Sequence, residues 1–172
     1  MKAMTTDHSP NRLERQLERL SEVPAFARPW FRSVVLRRAV PFTATAGLDF
    51  LQMSTSLVEI GIKNEKKVQN HIGGVHASAI NLLAETATGM LVGMNVRDDC
   101  IPLAKEIKMR FKHRASGSLR AVATLSDEQR TAMQASDKGE LTVAVSITDE
   151  AGANPVECEF IWAWIPSGPR KS

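Results

Sequence analysis

The residues of this sequence that could do chemistry cluster around the start of one long apolar segment. A glycine pair lies between Asn70 and His76, either of which could orient a water or a carbonyl group, and Glu85 follows within the apolar run. Over residues 75–94, Glu85 is the only acidic side chain, and no lysine or arginine is present. A carboxylate among apolar residues costs free energy unless it is paired, protonated or used in function. The segment is therefore a candidate site.

The apolar run predicts a helix over about residues 75–94, and the N-terminus of this helix could bind a substrate. The preceding glycines, Gly73-Gly74, allow the backbone to approach a ligand closely and to adopt positive φ. The first helical N–H groups, near His76–Ser78, have no partner within the helix and carry the positive end of its dipole. Such amides can stabilise an oxyanion. A partly desolvated Glu85 could act as a general base for hydrolysis.

A polar stripe on the predicted helix sets the direction of Glu85. Ser78, Asn81, Glu85 and Thr88 follow one another at offsets of three, four and three residues, which places them on one face. The remaining positions are mostly apolar, as expected of a buried core. Glu85 is therefore predicted to face a polar seam, which is a subunit interface, a cleft or both.

The segments before the candidate site predict helices and then strands. An amphipathic helix is predicted from Asn11, with three leucines on one side, the last of them Leu20. Pro29 suits the first turn of a second helix. After Pro41 the sequence becomes rich in β-branched and apolar residues, so that TATAGLDFLQ and TSLVEIGIK are predicted to be strands.

The segments after the candidate site predict four strands and a short helix. SLRAVATL follows a glycine turn, and Ser126–Gln129 has the pattern of a capping box that starts a helix. ELTVAVSIT and ECEFIWAWI predict a strand pair joined by a turn over residues 149–154. The first strand, IKMRFKHRA, alternates, and its basic face consists of Lys108, Arg110, Lys112 and Arg114.

Together these elements predict an α+β fold, in which a curved antiparallel sheet of about six strands wraps one long central helix. A helix that is apolar on nearly every side must be enclosed, and a strongly curved sheet can enclose it. This is the hotdog arrangement. The predicted boundaries are residues 1–40 for an N-terminal helical extension and residues 41–172 for the hotdog domain.

Composition limits the classes of function. At 172 residues the chain is long enough for one domain with a substantial core. The net charge of +3 permits an anionic ligand, but no nucleic-acid recognition motif is visible, so nucleic acid is not an expected partner. Two cysteines without CxxC spacing favour a reducing compartment and give no zinc signature. No signal peptide and no stretch approaching ~18 apolar residues is visible, so we expect a cytoplasmic protein without a membrane span.

The spacing Asn70-x5-His76-x8-Glu85, with Gly73 inside it, resembles the signature of a known family. That signature is approximately N-x-x-G-x-x-H-G-G followed by a helix that carries Asp or Glu. It belongs to the hotdog-fold thioesterases of the phenylacetyl-CoA thioesterase type. The resemblance covers about residues 41–166 and is greatest to members described only as domains of unknown function.

The resemblance implies an acyl-CoA thioesterase that forms a homodimer or a dimer of dimers, with its site at the subunit interface. Glu85 then corresponds to the catalytic carboxylate, and Asn70 to the asparagine that positions a water or the carbonyl. His76 corresponds to the histidine at the helix start, and Ala77 to the residue whose N–H stabilises the oxyanion. The family's Gly-Gly after the histidine is Ala77-Ser78 here, and Glu replaces the commoner Asp. No metal or other cofactor is implied.

Further residues are expected to contact the acyl-CoA substrate. Lys112 and Arg114, near the end of a predicted strand, are candidates for the CoA phosphates. More often such a basic row is the solvent face of a strand and pairs with acids on the next strand, here Glu157 or Glu159. The candidate substrate contacts near the helix start are Gly73, Gly74, Ala77, Ser78 and Asn81.

Structural interpretations stand beside these functional ones. Glu85 could be a carboxylate that is hydrogen-bonded across a dimer interface, and His76 could be a helix cap. Gly89, with a second glycine four residues later, is expected to allow close contact between the helix and a neighbouring element. Trp162 and Trp164 are expected to pack in the core or an interface rather than to bind a ligand.

Two further functions remain open. One is a non-catalytic hotdog module that binds acyl-CoA or acyl chains for sensing or scaffolding, for which Ala77-Ser78 would be the signature. The other is a hotdog hydratase or dehydratase, which also uses His and Glu. The dehydratase pattern has a longer gap between these two residues than His76 and Glu85 have here, so it ranks last.

Overall fold

The computed structural model describes residues 10–19 and 23–168. Leu20, the last of the three leucines predicted on one side of the first helix, lies outside the described residues. Three helices precede the first strand, one long helix follows the second strand, and one short helix lies between the fourth and fifth strands. A 3-10 turn, Lys66–Val68, precedes the long helix. The helices are α1 Arg12–Glu18, α2 Arg28–Ala39, α3 Pro41–Ala46, α4 Ala77–Asn95 and α5 Asp127–Ala135. The strands are β1 Asp49–Met53, β2 Leu57–Ile62, β3 Cys100–Phe111, β4 Leu119–Thr124, β5 Gly139–Asp149 and β6 Val156–Pro166.

The six strands form one antiparallel sheet, as the sequence predicts, and their order in it is β1-β2-β4-β5-β6-β3. The long helix α4 packs against the inner face of this sheet, most closely against β2 and β4. Leu83, Ala84 and Leu91 of the helix are completely buried, and so are the inward side chains Ile60 and Ala121 of the strands. The predicted α+β architecture with one enclosed helix is confirmed. Among the described residues, no helix combines the length and the apolarity needed to cross a membrane.

The two glycines of α4 allow the close contacts that the sequence predicts. A Cβ on Gly89 would lie 2.8 Å from Cη2 of Trp162, whose indole ring packs directly on the helix backbone. Both Trp162 and Trp164 are buried in the core, 5% and 4% exposed. A Cβ on Gly93 would lie 3.2 Å from Cδ2 of Leu13, the flexible end of a side chain on α1.

Gly89→Ala is therefore expected to destabilise the protein. The added methyl group would overlap the buried ring of Trp162, and overpacking of this kind costs about 1–3 kcal/mol. This cost is partly offset by about 1 kcal/mol of improved helix propensity. Gly93→Ala is the matched control, because the same propensity gain meets only a movable leucine. Equal unfolding midpoints in urea for the two variants would contradict the packing described here.

The segment after Pro41 corrects one sequence prediction. TATAGLDFLQ was expected to be a single strand, but its first residues form helix α3 and β1 begins only at Asp49. Pro41 stands in the first turn of α3, and Gly47 ends the helix with a left-handed φ of 73°. The hydroxyl of the buried Thr43 donates to the Val40 carbonyl at 2.7 Å. The β-branched residues therefore lie in a short helix, because its ends are fixed by proline and glycine.

The basic row of β3 is a solvent face, as the alternation predicts. Lys108 pairs with Glu159 of β6 at 3.1 Å. Lys112, which directly follows β3, pairs with Glu157 of β6. The apolar residues of the alternate positions lie on the opposite face, where Ile107 pairs with the buried Phe160, yet Ile107 and Phe111 themselves remain exposed. A register shift between residues 104 and 106 reverses the faces, so Ile101 and Leu103, before the shift, lie on the exposed side of β3.

Candidate functional site

Asn70 organises the loop that leads into α4. Its side-chain Oδ1 accepts hydrogen bonds from the N–H groups of Ile72 and Gly74, each at 3.1 Å, and its own N–H donates to the Gly74 carbonyl at 2.8 Å. Gly73 adopts a left-handed φ of 76°, which a residue with a side chain would adopt only with strain. The Asn70 Nδ2 donates to no group within the described residues, so both N–H donors of this side-chain amide are available to a ligand.

His76 is the N-cap of α4, so the helix begins at Ala77 rather than at residue 75. Its Nδ1 accepts a hydrogen bond from the Ser78 N–H at 3.1 Å, and its own N–H donates to the Val68 carbonyl at 2.8 Å. The Ala79 N–H donates to the His76 carbonyl at 2.9 Å. The Ala77 N–H has no acceptor within the part of the chain that the structure describes. One amide at the positive end of α4 therefore remains free.

The capping role of His76 can be tested through stability. Loss of an N-cap acceptor typically costs about 1 kcal/mol, whereas asparagine is among the preferred N-cap residues. We expect His76→Ala to lower the free energy of unfolding by about that amount and His76→Asn to leave it unchanged or raise it. Chemical denaturation of both variants measures the difference. The cap assignment fails if the asparagine variant loses as much stability as the alanine variant.

A cavity of about 290 Å³ lies beside the loop and the free amide. We call it the Asn70 cavity. Arg114 closes one side, where its Nη2 donates to the Ile72 carbonyl at 2.7 Å. The lining of the cavity includes Asn70, Gly74, Ala77, Phe111, Lys112 and Arg114.

A second, more open depression, of about 680 Å³, runs along α4. We call it the Glu85 groove. Its polar wall comes from Ser78, Asn81 and Glu85, and its apolar wall comes from α3, α4 and β3. Ala77 and Phe111 line both this groove and the Asn70 cavity, so the two spaces adjoin. The apolar lining residues are Phe42, Leu82, Ile107, Met109 and Phe111.

Glu85 is the chemically unusual group of this groove. The carboxylate is half-buried and has neither a hydrogen bond nor an ion pair within the described residues. Burial raises the pKa of Glu85 above its ordinary value of 4.5, because desolvation disfavours the charged form. A partly desolvated, unpaired carboxylate with a raised pKa is suited to accept a proton from water.

The structure brings most of the sequence-predicted site residues together. Asn70, Gly74 and Ala77 meet Lys112 and Arg114 in the Asn70 cavity, and Ser78, Asn81 and Glu85 share the adjoining groove. Gly73 and His76 line neither space; both are exposed, and they shape the loop and cap the helix.

Thr88 was expected on the same polar seam, and this expectation is wrong. Thr88 is completely buried, and its Oγ1 accepts a hydrogen bond from the Trp162 Nε1 at 2.9 Å while it donates to the Ala84 carbonyl. The Thr88 hydroxyl provides the acceptor that the buried indole N–H of Trp162 needs. The polar seam therefore ends at Glu85.

Sequence reasoning did not identify the two phenylalanines that border the site. Phe42 immediately precedes the segment wrongly predicted as strand and is the second residue of α3, so its position beside α4 could not be inferred. Phe111 had a usable signal, since it shares its strand face with Ile107 and Met109. Among the described residues, no cluster of three or more His, Cys, Asp or Glu could hold a metal ion.

Comparisons with solved structures identify the class of fold. A protein of unknown function from Pseudomonas aeruginosa, described as a probable thioesterase, is 24% identical with a TM-score of 0.70, over 76% of this chain and 91% of that chain. A thioesterase from Haemophilus influenzae is 13% identical with a TM-score of 0.62, over 76% and 87%. A thioesterase family protein from Silicibacter pomeroyi is 14% identical with a TM-score of 0.61, over 78% and 96%. The chain therefore has the hotdog fold that the sequence predicts.

Residues 28–165 match a protein family described as a domain of unknown function (DUF4442). The match covers most of the chain, so the protein belongs to this family. A comparison with curated proteins gives no match.

Proposed function

We propose that the protein hydrolyses an acyl-CoA thioester. The observation that carries this proposal is the unpaired, half-buried carboxylate of Glu85, in a chain that also presents the free N–H of Ala77 at the start of the same helix. A general base and an oxyanion donor are the two groups that acyl transfer to water requires. The solved structures of the same fold that are described as thioesterases support the same class of reaction.

In the proposed reaction, water is the nucleophile. A Glu85 oxygen accepts a proton from water while the water oxygen bonds to the thioester carbonyl carbon. The carbonyl oxygen becomes an oxyanion, to which the Ala77 N–H donates a hydrogen bond. When the tetrahedral intermediate collapses, the carbonyl re-forms and the C–S bond breaks. The leaving thiolate takes the proton from Glu85, which gives the free thiol of CoA and a carboxylic acid.

Glu85 and Ala77 of one chain lie too far apart to act on the same thioester. The eight residues from 77 to 85 span about 12 Å of helix, at about 1.5 Å per residue. The Ala77 N–H also points along the helix axis, away from Glu85. A general base must lie within about 3 Å of the proton that it removes, or reach it through one water. We therefore infer a site between two copies of the chain, in which Glu85 of one faces Ala77 of the other.

The edge strand β3 offers a surface for this pairing. It is the last strand of the sheet, so one side of its backbone has no neighbouring strand among the described residues. Ile107 and Phe111 on this strand are 40% and 50% exposed. The backbone N–H and C=O groups on the free side of an edge strand can pair with a strand of another chain. Both residues line the Glu85 groove, so pairing along β3 would bring two grooves together.

The Asn70 cavity is the proposed position of the CoA end of the substrate. It holds the free Nδ2 of Asn70 and two basic side chains, Lys112 and Arg114. Lys112 pairs with Glu157, and Arg114 donates one N–H group to the Ile72 carbonyl of the loop. An ammonium carries three donors and a guanidinium five, so both retain donors for a phosphate. The acyl part would then lie in the apolar half of the Glu85 groove.

A substrate screen tests the proposed function. Purified protein is incubated with short, medium, long and aryl acyl-CoAs, and the released thiol is measured. We expect at least one acyl-CoA to release thiol above the uncatalysed rate. If an acyl-CoA binds but none releases thiol, the protein is not a thioesterase.

A second candidate function is a non-catalytic module that binds acyl-CoA or acyl chains. The observation that favours it is the sequence Ala77-Ser78, which replaces the glycine pair of the related thioesterases. The Ser78 N–H is occupied by His76, so only the Ala77 amide remains free for an oxyanion. Binding without turnover in the same screen would support this function.

A further inference from the structure

An aromatic surface on α2 projects away from the core. Trp30 and Phe31 are 69% and 37% exposed, and Val35 on the same side is 38% exposed. Phe26, immediately before the helix, is 90% exposed. On the opposite side of α2, Ser33 and Leu36 are buried against the domain. We call the surface formed by Phe26, Trp30, Phe31 and Val35 the α2 aromatic face.

The α2 aromatic face is bordered by positive charge. Helix α2 contains four arginines and no acidic residue. Arg37 pairs with Asp49 at 2.6 Å, whereas the other three have no acidic partner within the described residues. Arg28 donates to the Val23 carbonyl and Arg32 to the Leu51 carbonyl, so both retain their charge. The three uncompensated charges are Arg28, Arg32 and Arg38.

An anionic surface fits this charge, whereas a second copy of the same face does not. In a twofold contact the same patch meets itself, which would place the arginines of one α2 against those of the other. Phe26 and Trp30 are 90% and 69% exposed, which suits insertion into a deformable interface. Trp side chains favour the headgroup level of a bilayer, and arginines near the surface are attracted to anionic lipids.

We propose that the α2 aromatic face docks on the surface of an anionic phospholipid bilayer. Phe26, Trp30 and Phe31 enter the headgroup region, and the three uncompensated arginines contact lipid phosphates. Phe42, which follows α2 and is 62% exposed, lines the Glu85 groove. The docking itself does not depend on thioester hydrolysis.

Vesicle flotation tests this proposal with the full chain. The protein is mixed with vesicles of phosphatidylcholine alone or of phosphatidylcholine with phosphatidylglycerol. The aromatic variant is Phe26→Ser with Trp30→Ser, and the charge variant replaces the three arginines with Gln. The matched control removes three exposed positive charges elsewhere, through Lys63→Gln, Lys66→Gln and Lys138→Gln. Thermal unfolding of each variant verifies that it is folded.

The wild type and the lysine control are expected to bind the anionic vesicles, and neither should bind the neutral ones strongly. The charge variant should lose roughly fivefold in binding per arginine, or about 100-fold in all. The aromatic variant should lose binding as well. Trp162 and Trp164 are buried, so a blue shift of tryptophan fluorescence on anionic vesicles would report Trp30.

Three results would overturn the proposal. One is no binding to anionic vesicles, and another is equal binding to neutral vesicles. The third is equal loss of binding in the lysine control and the charge variant, which would mean that net charge alone drives the association. If the aromatic variant changes the molar mass measured by light scattering and the wild type binds no lipid, the face is an interface between copies.

Discussion

Glu85→Gln should remove most thiol release and should not lower the stability of the fold. A general base typically contributes about 10²–10⁴ to the rate, so kcat is expected to fall by that factor. The amide has nearly the same shape as the carboxylate but cannot take a proton from water. The measurement is thiol release with the best acyl-CoA of the screen, at saturating concentration.

The stability half of this prediction follows from the pKa of Glu85. Burial raises this pKa in the folded state, so between its ordinary value of 4.5 and the raised value the folded state binds more protons than the unfolded state. The favourable contribution of protonated Glu85 to stability is therefore fully present below pH 4.5, the ordinary pKa. It is lost as the pH rises through the raised pKa of the folded state. At neutral pH the unpaired carboxylate disfavours folding, and Gln at this position should leave the melting temperature unchanged or raise it.

A structural carboxylate would give the opposite result. If Glu85 were held by hydrogen bonds across an interface, Glu85→Gln would lower the melting temperature. The matched control is Glu128→Gln, which changes an exposed glutamate on α5 and should retain full activity.

The activity of the wild type should also depend on pH. Because the base acts in its deprotonated form, kcat/KM of the wild type should rise with pH, with a midpoint above 4.5. Full activity of Glu85→Gln would eliminate the proposed mechanism.

Ala77→Pro should remove the oxyanion donor and keep the helix. Ala77 is the first residue of α4, and proline is favoured at that position because its missing N–H has no helical partner anyway. The preceding residue, His76, has φ −64° and ψ 142°, which is the extended conformation that a residue before proline prefers. Loss of one such donor typically lowers kcat by about 10²–10³.

The control for Ala77→Pro is a side chain of similar bulk that keeps the N–H. Ala77→Val places three side-chain carbons beside the Asn70 cavity and the Glu85 groove without removing the backbone N–H donor. We expect Ala77→Val to retain much more activity than Ala77→Pro, with similar melting temperatures for the two variants. If the valine variant loses as much activity as the proline variant, steric exclusion rather than the lost hydrogen bond explains the effect.

The sequence predicted the enclosed helix and the sheet because their signals are local and strong. The run around Glu85 has a length and apolarity that only an enclosed helix accommodates, and the α5 capping box forms as predicted, with Ser126 and Gln129 bonded to each other's backbone N–H groups. Helix α3 was missed because Thr43 and Thr45 have strand propensity. The better local signal was Pro41 at the start and Gly47 at the end, which together bound a helix.

The candidate site was predictable in its residues but not in all its geometry. The stripe containing Glu85 followed from helical spacing, yet spacing did not show that Thr88 points towards Trp162, which is distant in sequence. The role of His76 depends on the hydrogen bond that its Nδ1 accepts from the Ser78 N–H, and no sequence pattern specifies that bond. Likewise, Phe42 reaches the Glu85 groove through packing between α3 and α4, and no local pattern encodes that contact.

The most direct test of the central claim is complementation between two inactive variants. If each site takes Glu85 from one copy and the Ala77 amide from the other, a mixed dimer of Glu85→Gln and Ala77→Pro contains one intact site and one doubly defective site. Equal co-expression should then recover about a quarter of wild-type thiol release, because half of the dimers are mixed and each has one working site of two. Thiol release no higher than that of either variant alone would contradict the shared site.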